Sequence, residues 1–194
     1  NSHASYFPGA QRMTMKILYA PAAGKILGAQ IVGGLEGVDK RIDVIAMAMQ
    51  MQGTVYELEE AELAYAPPFG SAKDPINMLG FVAAGTLRGD QRLVHVEDTL
   101  IQRNPHQLIL DVRTKTEWDA FHFDDTKHIP LDELRNRLTE LPKDKDIMCM
   151  CRVGLRGYMA QKILTFNGYR AFNISGGVEA YQKLWVRALR ALPR

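Results

Sequence analysis

The chain has 194 residues, 46% of them hydrophobic and 24% charged, which is the composition of a folded globular protein rather than of a disordered tract. A formal charge of +2 and a pI near 8.5 are too mild to indicate a nucleic-acid partner, and no apolar stretch approaches the roughly 20 residues of a membrane span. The two cysteines, Cys149 and Cys151, are one residue apart, an awkward disulfide pair, and no second Cys/His pair completes a zinc site, so a reducing, cytoplasmic setting without metal is expected.

The N-terminal "NSHASYFPGAQRM" has neither an initiator Met nor a signal-peptide pattern, and reads as a tag scar or as the interior of a longer protein. Apolar runs at Met13 to Tyr19 and Ile26 to Val32 flank "APAAGK", a β-hairpin signal. In "EGVDKRIDVIAMAMQMQG" the residues Val38, Ile42, Ile45, Ala46 and Met49 recur at helical spacing, with Gly53 as the stop. Met47, Met49 and Met51 make this helix apolar on more than one side, which predicts a homodimer through the first half. An acidic segment and a Pro-Pro loop follow, then a helix from Pro75 with Asp74 as its N-cap. The polar, glycine-bearing "GTLRGDQR" (Gly85 to Arg92) reads as a linker, dividing the chain into residues 1–86, a linker 87–92 and residues 93–194.

The second half alternates strands and helices: "HQLILDVR", "KHIP", "DKDIMCMC" and "RAFNISGG" as strands, "TKTEWDAF" as a helix or turn, and "LDELRNRLTEL", "GLRGYMAQKILTFNG" and "VEAYQKLWVRAL" as helices. That alternation predicts a parallel sheet covered on both faces, with ligands beyond the carboxyl ends of its strands. Cys151 is at such an end. Loop amides helped by Gly154, a helix N-terminus, and the charges of Arg152 and Arg156 together favour a thiolate or a bound anion there. The alternative is that Cys151 is a small buried hydrophobe, the reading preferred for Cys149 within the strand.

Cys151 to Arg156, "CRVGLR", after a strand and before a helix, resembles the active loop of the rhodanese family of sulfurtransferases. "LILDVRTKTEW", "KHIPLDEL" and "FNISGGVEAY" resemble further segments of that family in the same order, over about Gln91 to Leu184. "FHFDD" stands where the family usually has Gly-His-Ile. The resemblance implies a persulfide on Cys151, held by the amides of Arg152, Val153, Gly154, Leu155 and Arg156. It also implies support from Asp111, Arg113 and Glu117, with Arg113 paired to Glu117 and Asp111 either functional or structural. No role is assigned to His122 or His128. A phosphatase loop has one residue more between its Cys and Arg, so a phosphate dianion is expected to fit poorly.

"GKILGAQIVGGLEGVDKRIDVIAMAM" and "AYAPPFGSAKDP" resemble the dimerisation domain of the pyridine nucleotide-disulfide oxidoreductases, nearest to coenzyme A-disulfide reductases, NADH oxidases and persulfide reductases. The implied fold is an α+β dimerisation domain followed by an α/β rhodanese-like domain. The implied parent is an FAD- and NAD(P)H-dependent coenzyme A-disulfide or persulfide reductase, with this chain as its C-terminal portion and FAD and NAD domains ahead of it. The chain has no G-x-G-x-x-G, so it is expected to bind neither dinucleotide by itself. Tyr65, and Tyr6 with Phe7 as the other candidate for its register, match tyrosines that the family places near the partner subunit's coenzyme A and flavin. Small thiols and persulfides are the implied substrates. Lys40, Arg41 and Lys73 could meet coenzyme A phosphates, although lone basic residues are mostly solvated. The alternative to an enzyme portion is a non-catalytic rhodanese-like interaction module attached to a dimeriser.

Overall fold

The computed structural model describes residues 1–34, 36–101 and 104–183. It divides into two compact units, Asn1–Asp90 and the residues from Gln91 onward.

In the first unit, β1 (Met13–Tyr19) and β2 (Ile26–Gly33) form the expected antiparallel hairpin. α1 (Val38–Gln50), α2 (Val55–Glu60) and α3 (Pro75–Leu87) pack over it around Ile26, Ile45, Val55, Leu58, Ile76, Ala83 and Ala84. The acidic segment is helical because Thr54 and Glu57 close a capping box at its start. Asp74 does the same for α3 with Asn77, and Pro75 takes the first position, where its missing N–H is harmless. Gly80 lets the two helices touch: a Cβ there would lie 2.2 Å from the Glu59 backbone nitrogen.

Two expectations for the first unit are corrected. α1 ends at Gln50, ahead of the expected stop at Gly53, and the residue in the left-handed region is Gln52 (φ 61°); Gln52 N–H donates to the Met49 carbonyl and Gly53 N–H to the Ala48 carbonyl. Gly53 is needed for closeness instead, since a Cβ on it would sit 2.9 Å from the Ala48 carbonyl oxygen. The segment read as a linker begins inside α3, which runs on through Leu87.

In the second unit, β3 (Leu93–Val94), β4 (Gln107–Asp111), β5 (Thr126–His128), β6 (Asp146–Met150) and β7 (Ala171–Ile174) make a parallel sheet in the order β3-β7-β6-β4-β5. Its helices are α4 (Lys115–Ala120), α5 (Leu131–Leu134), α6 (Leu155–Phe166) and α7, helical over 177–183; the rest of the expected last helix lies outside the described residues. Side chains alternate along β6, so Ile147, Cys149 and Cys151 enter one core with Leu110, Ala160 and Leu164. Met148 and Met150 enter another with Ile109, Ile174 and Val178. Both faces are covered, which is why this strand is apolar throughout.

"LDELRNRLTEL" is not one amphipathic helix. α5 has four residues, and a separate 3-10 turn covers Leu138–Glu140. Asn136 and Arg137 lie at the break, and the Leu138 carbonyl accepts from both the Leu141 N–H, inside the turn, and the Tyr169 hydroxyl.

Candidate active site

β6 delivers Cys151 to the carboxyl edge of the sheet, 1% exposed, just before the loop that opens α6. The chain turns back at Gly154 (φ 133°), and the Gly154 N–H donates to Cys151 Sγ at 3.1 Å. The first amides of α6 have no partner within the helix, so they add positive potential beside the sulfur. Val153 and Leu155 face outward, 47% and 59% exposed.

The first turn of α7 clamps this loop from the other side. Val178 N–H donates to the Cys151 carbonyl (3.0 Å) and Glu179 N–H to the Arg152 carbonyl (3.1 Å). Gly177 (φ 53°) permits the approach, because a Cβ there would lie 2.1 Å from the Cys151 carbonyl oxygen.

Both loop arginines are paired. Arg156 meets Glu117 with two prongs, Nη1–Oε2 2.6 Å and Nη2–Oε1 2.7 Å. Arg152 Nε donates to Glu179 Oε1 at 2.7 Å. The Arg156 guanidinium above all, with the Thr114 amide and hydroxyl, holds the Glu117 carboxyl down at about 2 against a smaller upward push from burial. Glu117 reciprocally raises the Arg156 pKa, against burial, and the fields of Cys151 and Asp111 add to the rise.

The expected Arg113–Glu117 ion pair is not formed. Arg113 is buried and grips Asp111 instead (Nη2–Oδ2 2.6 Å, Nε–Oδ1 3.0 Å), and its remaining donors reach the Glu117 and Phe121 carbonyls. Asp111 is fully buried at the end of β4, and its Oδ1 also accepts the Arg113 N–H. The pair is two residues apart in sequence, so it locks the β4–α4 turn locally and leaves Glu117 to Arg156. Glu179 and the Gly176–Gly177 turn are parts of the site whose position beside the loop no spacing in the sequence revealed.

Cys149 is fully buried in the core, where burial first, and the neighbouring Cys151 second, push its thiol pKa upward. Trp118 lies between the rings of His122 (4.3 Å) and His128 (4.5 Å), stacked on both.

In the first unit, the hydroxyls of Tyr6 and Tyr65 are 2.8 Å apart on an exposed surface. The hydrogen bond with Tyr6 is the main cause that raises the Tyr65 pKa. Arg41 is not a solvated base: it is 1% exposed, bonded to both Asp74 oxygens (2.6 and 3.2 Å) and to the Ser2 and Gly37 carbonyls. It points inward from α1 and ties the N-terminal segment to the start of α3. Lys73 lies over the Phe81 ring, 5.3 Å from its centroid.

Comparison with known proteins follows this division. Residues 1–74 match the family model of the pyridine nucleotide-disulphide oxidoreductase dimerisation domain, and residues 96–184 match the rhodanese-like domain. The chain is a pyridine nucleotide-disulphide oxidoreductase dimerisation domain followed by a rhodanese-like domain. The crystal structure of reduced Bacillus anthracis CoADR-RHD superposes with a TM-score of 0.89 at 41% identity, covering 96% of this chain and 33% of that one. An NAD-dependent persulfide reductase from A. fulgidus gives 0.80 at 34% identity, covering 92% and 32%. A coenzyme A disulfide reductase of Staphylococcus aureus is 51% identical over 82 residues, 42% of this chain and 18% of the relative. The chain thus spans a third or less of the length of these relatives. Among the described residues no helix is long and apolar enough to cross a membrane.

Proposed function

We propose that the rhodanese-like domain transfers sulfane sulfur through a persulfide on Cys151. The observation that carries this reading is the Gly154 N–H aimed at Cys151 Sγ at the head of α6. A backbone donor on the sulfur, reinforced by a helix N-terminus, stabilises negative charge where a thiolate or persulfide would hold it. The Cys151 thiolate attacks the outer sulfur of a donor R–S–SH. The donor S–S bond breaks, and R–S⁻ leaves with the electron pair and takes a proton from water. An acceptor thiolate or cyanide then attacks the outer sulfur of the Cys151 persulfide and returns the Cys151 thiolate. The outer sulfur extends about 2 Å beyond a nearly buried Sγ, which lets a reaction occur at the mouth of the loop.

The first unit supports a homodimer: Leu27, Val32, Met47, Met51 and Phe69 are apolar side chains left exposed on a domain whose family is named for dimerisation. In this proposal the chain is the C-terminal portion of a coenzyme A-disulfide or persulfide reductase, and FAD and a nicotinamide nucleotide are held by the rest of the parent. Tyr6 and Tyr65 would stand at the partner subunit's reductase site, where a phenol can donate a hydrogen bond to a thiolate being released.

The test is the intact mass of the chain after brief exposure to coenzyme A persulfide, and separately to thiosulfate, beside Cys151→Ser. One added sulfur on the wild type, absent from the variant and removed by cyanide, is the expected result. No added sulfur from either donor on the folded protein favours the interaction-module reading.

A further inference from the structure

We propose that Glu179 is a specificity-determining residue of the sulfur transfer: by pairing with Arg152 at the edge of the cradle, it withholds a cation from the donor and disfavours compact dianions. The inference rests on the sulfur-transfer reading above.

The loop "CRVGLR" carries two arginines, and its sequence alone describes a strongly cationic mouth. The tertiary structure offsets both charges. Arg156 commits both terminal nitrogens to Glu117. Arg152 is held by one nitrogen, Nε, and is the more open of the two, with 55% of its side chain exposed against 30% for Arg156. The Arg152 pair is therefore the adjustable one.

Glu179 is also fixed in place more firmly than a surface carboxylate. Its own N–H donates to the Arg152 carbonyl, and the preceding N–H, on Val178, donates to the Cys151 carbonyl. The residue whose side chain holds Arg152 is thus attached by its backbone to Arg152 as well, and no reorientation of α7 is needed to keep the two together. Between the arginines the rim is apolar, formed by exposed Val153 and Leu155. A donor meets backbone N–H groups and apolar surface, with two guanidinium charges offset by two carboxylates.

Thiosulfate is the sharpest probe of this arrangement. Its transfer runs Cys–S⁻ + S₂O₃²⁻ → Cys–S–S⁻ + SO₃²⁻: the new S–S bond forms as the donor S–S bond breaks and sulfite leaves with the electron pair. Glu179 Oε1 lies 2.7 Å from the Nε of Arg152, the residue next to Cys151, and a unit charge several ångströms from an incoming dianion changes the encounter by about tenfold at low ionic strength. A persulfide of a neutral thiol carries at most one negative charge and is affected less.

The experiment compares wild type, Glu179→Gln and Glu179→Asp with two donors, thiosulfate and 2-hydroxyethyl persulfide, using cyanide as acceptor at low salt and near 1 M KCl. The ratio of kcat/KM for thiosulfate to that for the persulfide is expected to rise about threefold to tenfold in Glu179→Gln and not in Glu179→Asp. The gain should shrink toward unity in high salt, where the screening length falls to about 3 Å. In an Arg152→Gln background, Glu179→Gln should give a smaller change in the ratio, because no cation is left to unmask. A parallel change with both donors, or a salt-independent one, would assign Glu179 to packing and overturn the proposal. Cys151 loading by either donor with an unmoved ratio sinks this inference alone, whereas no loading of the wild type overturns the sulfur-transfer reading with it.

Discussion

Arg156 and Glu117 are 39 residues apart in sequence, yet their side chains meet through two hydrogen bonds of 2.6 and 2.7 Å that join the Cys151 loop to the start of α4. The same Glu117 carboxylate accepts from the Thr114 amide and hydroxyl, so one side chain caps α4 and anchors the head of α6. This relationship separates fold stability from loop geometry in a testable way.

Glu117→Gln keeps a side chain able to close the capping box and removes the ion pair. The pair is about 30% exposed, so solvent screening limits its worth, and a loss of about 1 kcal/mol is expected near neutral pH. Because the folded-state carboxyl is depressed to about 2, the wild-type advantage is complete above the unfolded value of 4.5 and disappears as pH falls toward 2. Urea denaturation of both proteins from pH 7 to pH 2.5 should show two curves converging below pH 4.5. A difference that stays constant with pH would refute the assignment.

Gly177→Ala places a methyl 2.1 Å from the Cys151 carbonyl oxygen at a φ of 53°. Left-handed strain and a backbone clash together should cost about 2–4 kcal/mol and displace the loop. Sulfur loading of Cys151, followed by mass, should slow at least tenfold under conditions where the far-UV spectrum is still native. Unchanged loading would show that the α7 clamp does not hold the loop.

Asp74 serves Arg41 and the N-cap of α3 at once. Asp74→Ala leaves a buried guanidinium without its carboxylate and should destabilise the first unit by about 3–5 kcal/mol. Asp74→Asn can still cap the helix and should still lose stability, through the charge alone. Thermal unfolding of the two variants ranks these contributions; equal, small losses would mean that Arg41 finds other partners.

Tyr6→Phe removes the main cause of the raised Tyr65 pKa. A raised Tyr65 pKa corresponds to Tyr65 donating to Tyr6, a bond lost on ionisation, so its titration should move toward the ordinary phenol range in the variant. Ultraviolet difference titration of wild type, Tyr6→Phe and Tyr65→Phe resolves the two phenols. An unmoved Tyr65 midpoint would show that the hydroxyls do not interact in solution.

Much of this architecture is legible in one dimension because it follows from local periodicity and turn chemistry. The hairpin, the Asp74–Pro75 helix start and the strand–loop–helix around Cys151 each rest on residues within a few positions of one another. Local rules failed where a distant group intervened. Glu117 is taken from Arg113 by Arg156, 39 residues along the chain, which meets both of its carboxylate oxygens. Glu179 escaped notice because "GGVEAY" gives no sign of which loop its carboxylate reaches.

The sequence by itself determined that this protein has two domains of these families, and that a cysteine stands where a parallel strand gives way to a helix. It also showed that two arginines share the loop. Only the tertiary structure decided that Arg113 belongs to Asp111, Arg156 to Glu117, Arg152 to Glu179 and Arg41 to Asp74. The physical reason is reach. An ion pair forms between whichever charged tips packing brings within about 4 Å, and packing is set by apolar faces that carry no information about the charges they bring together.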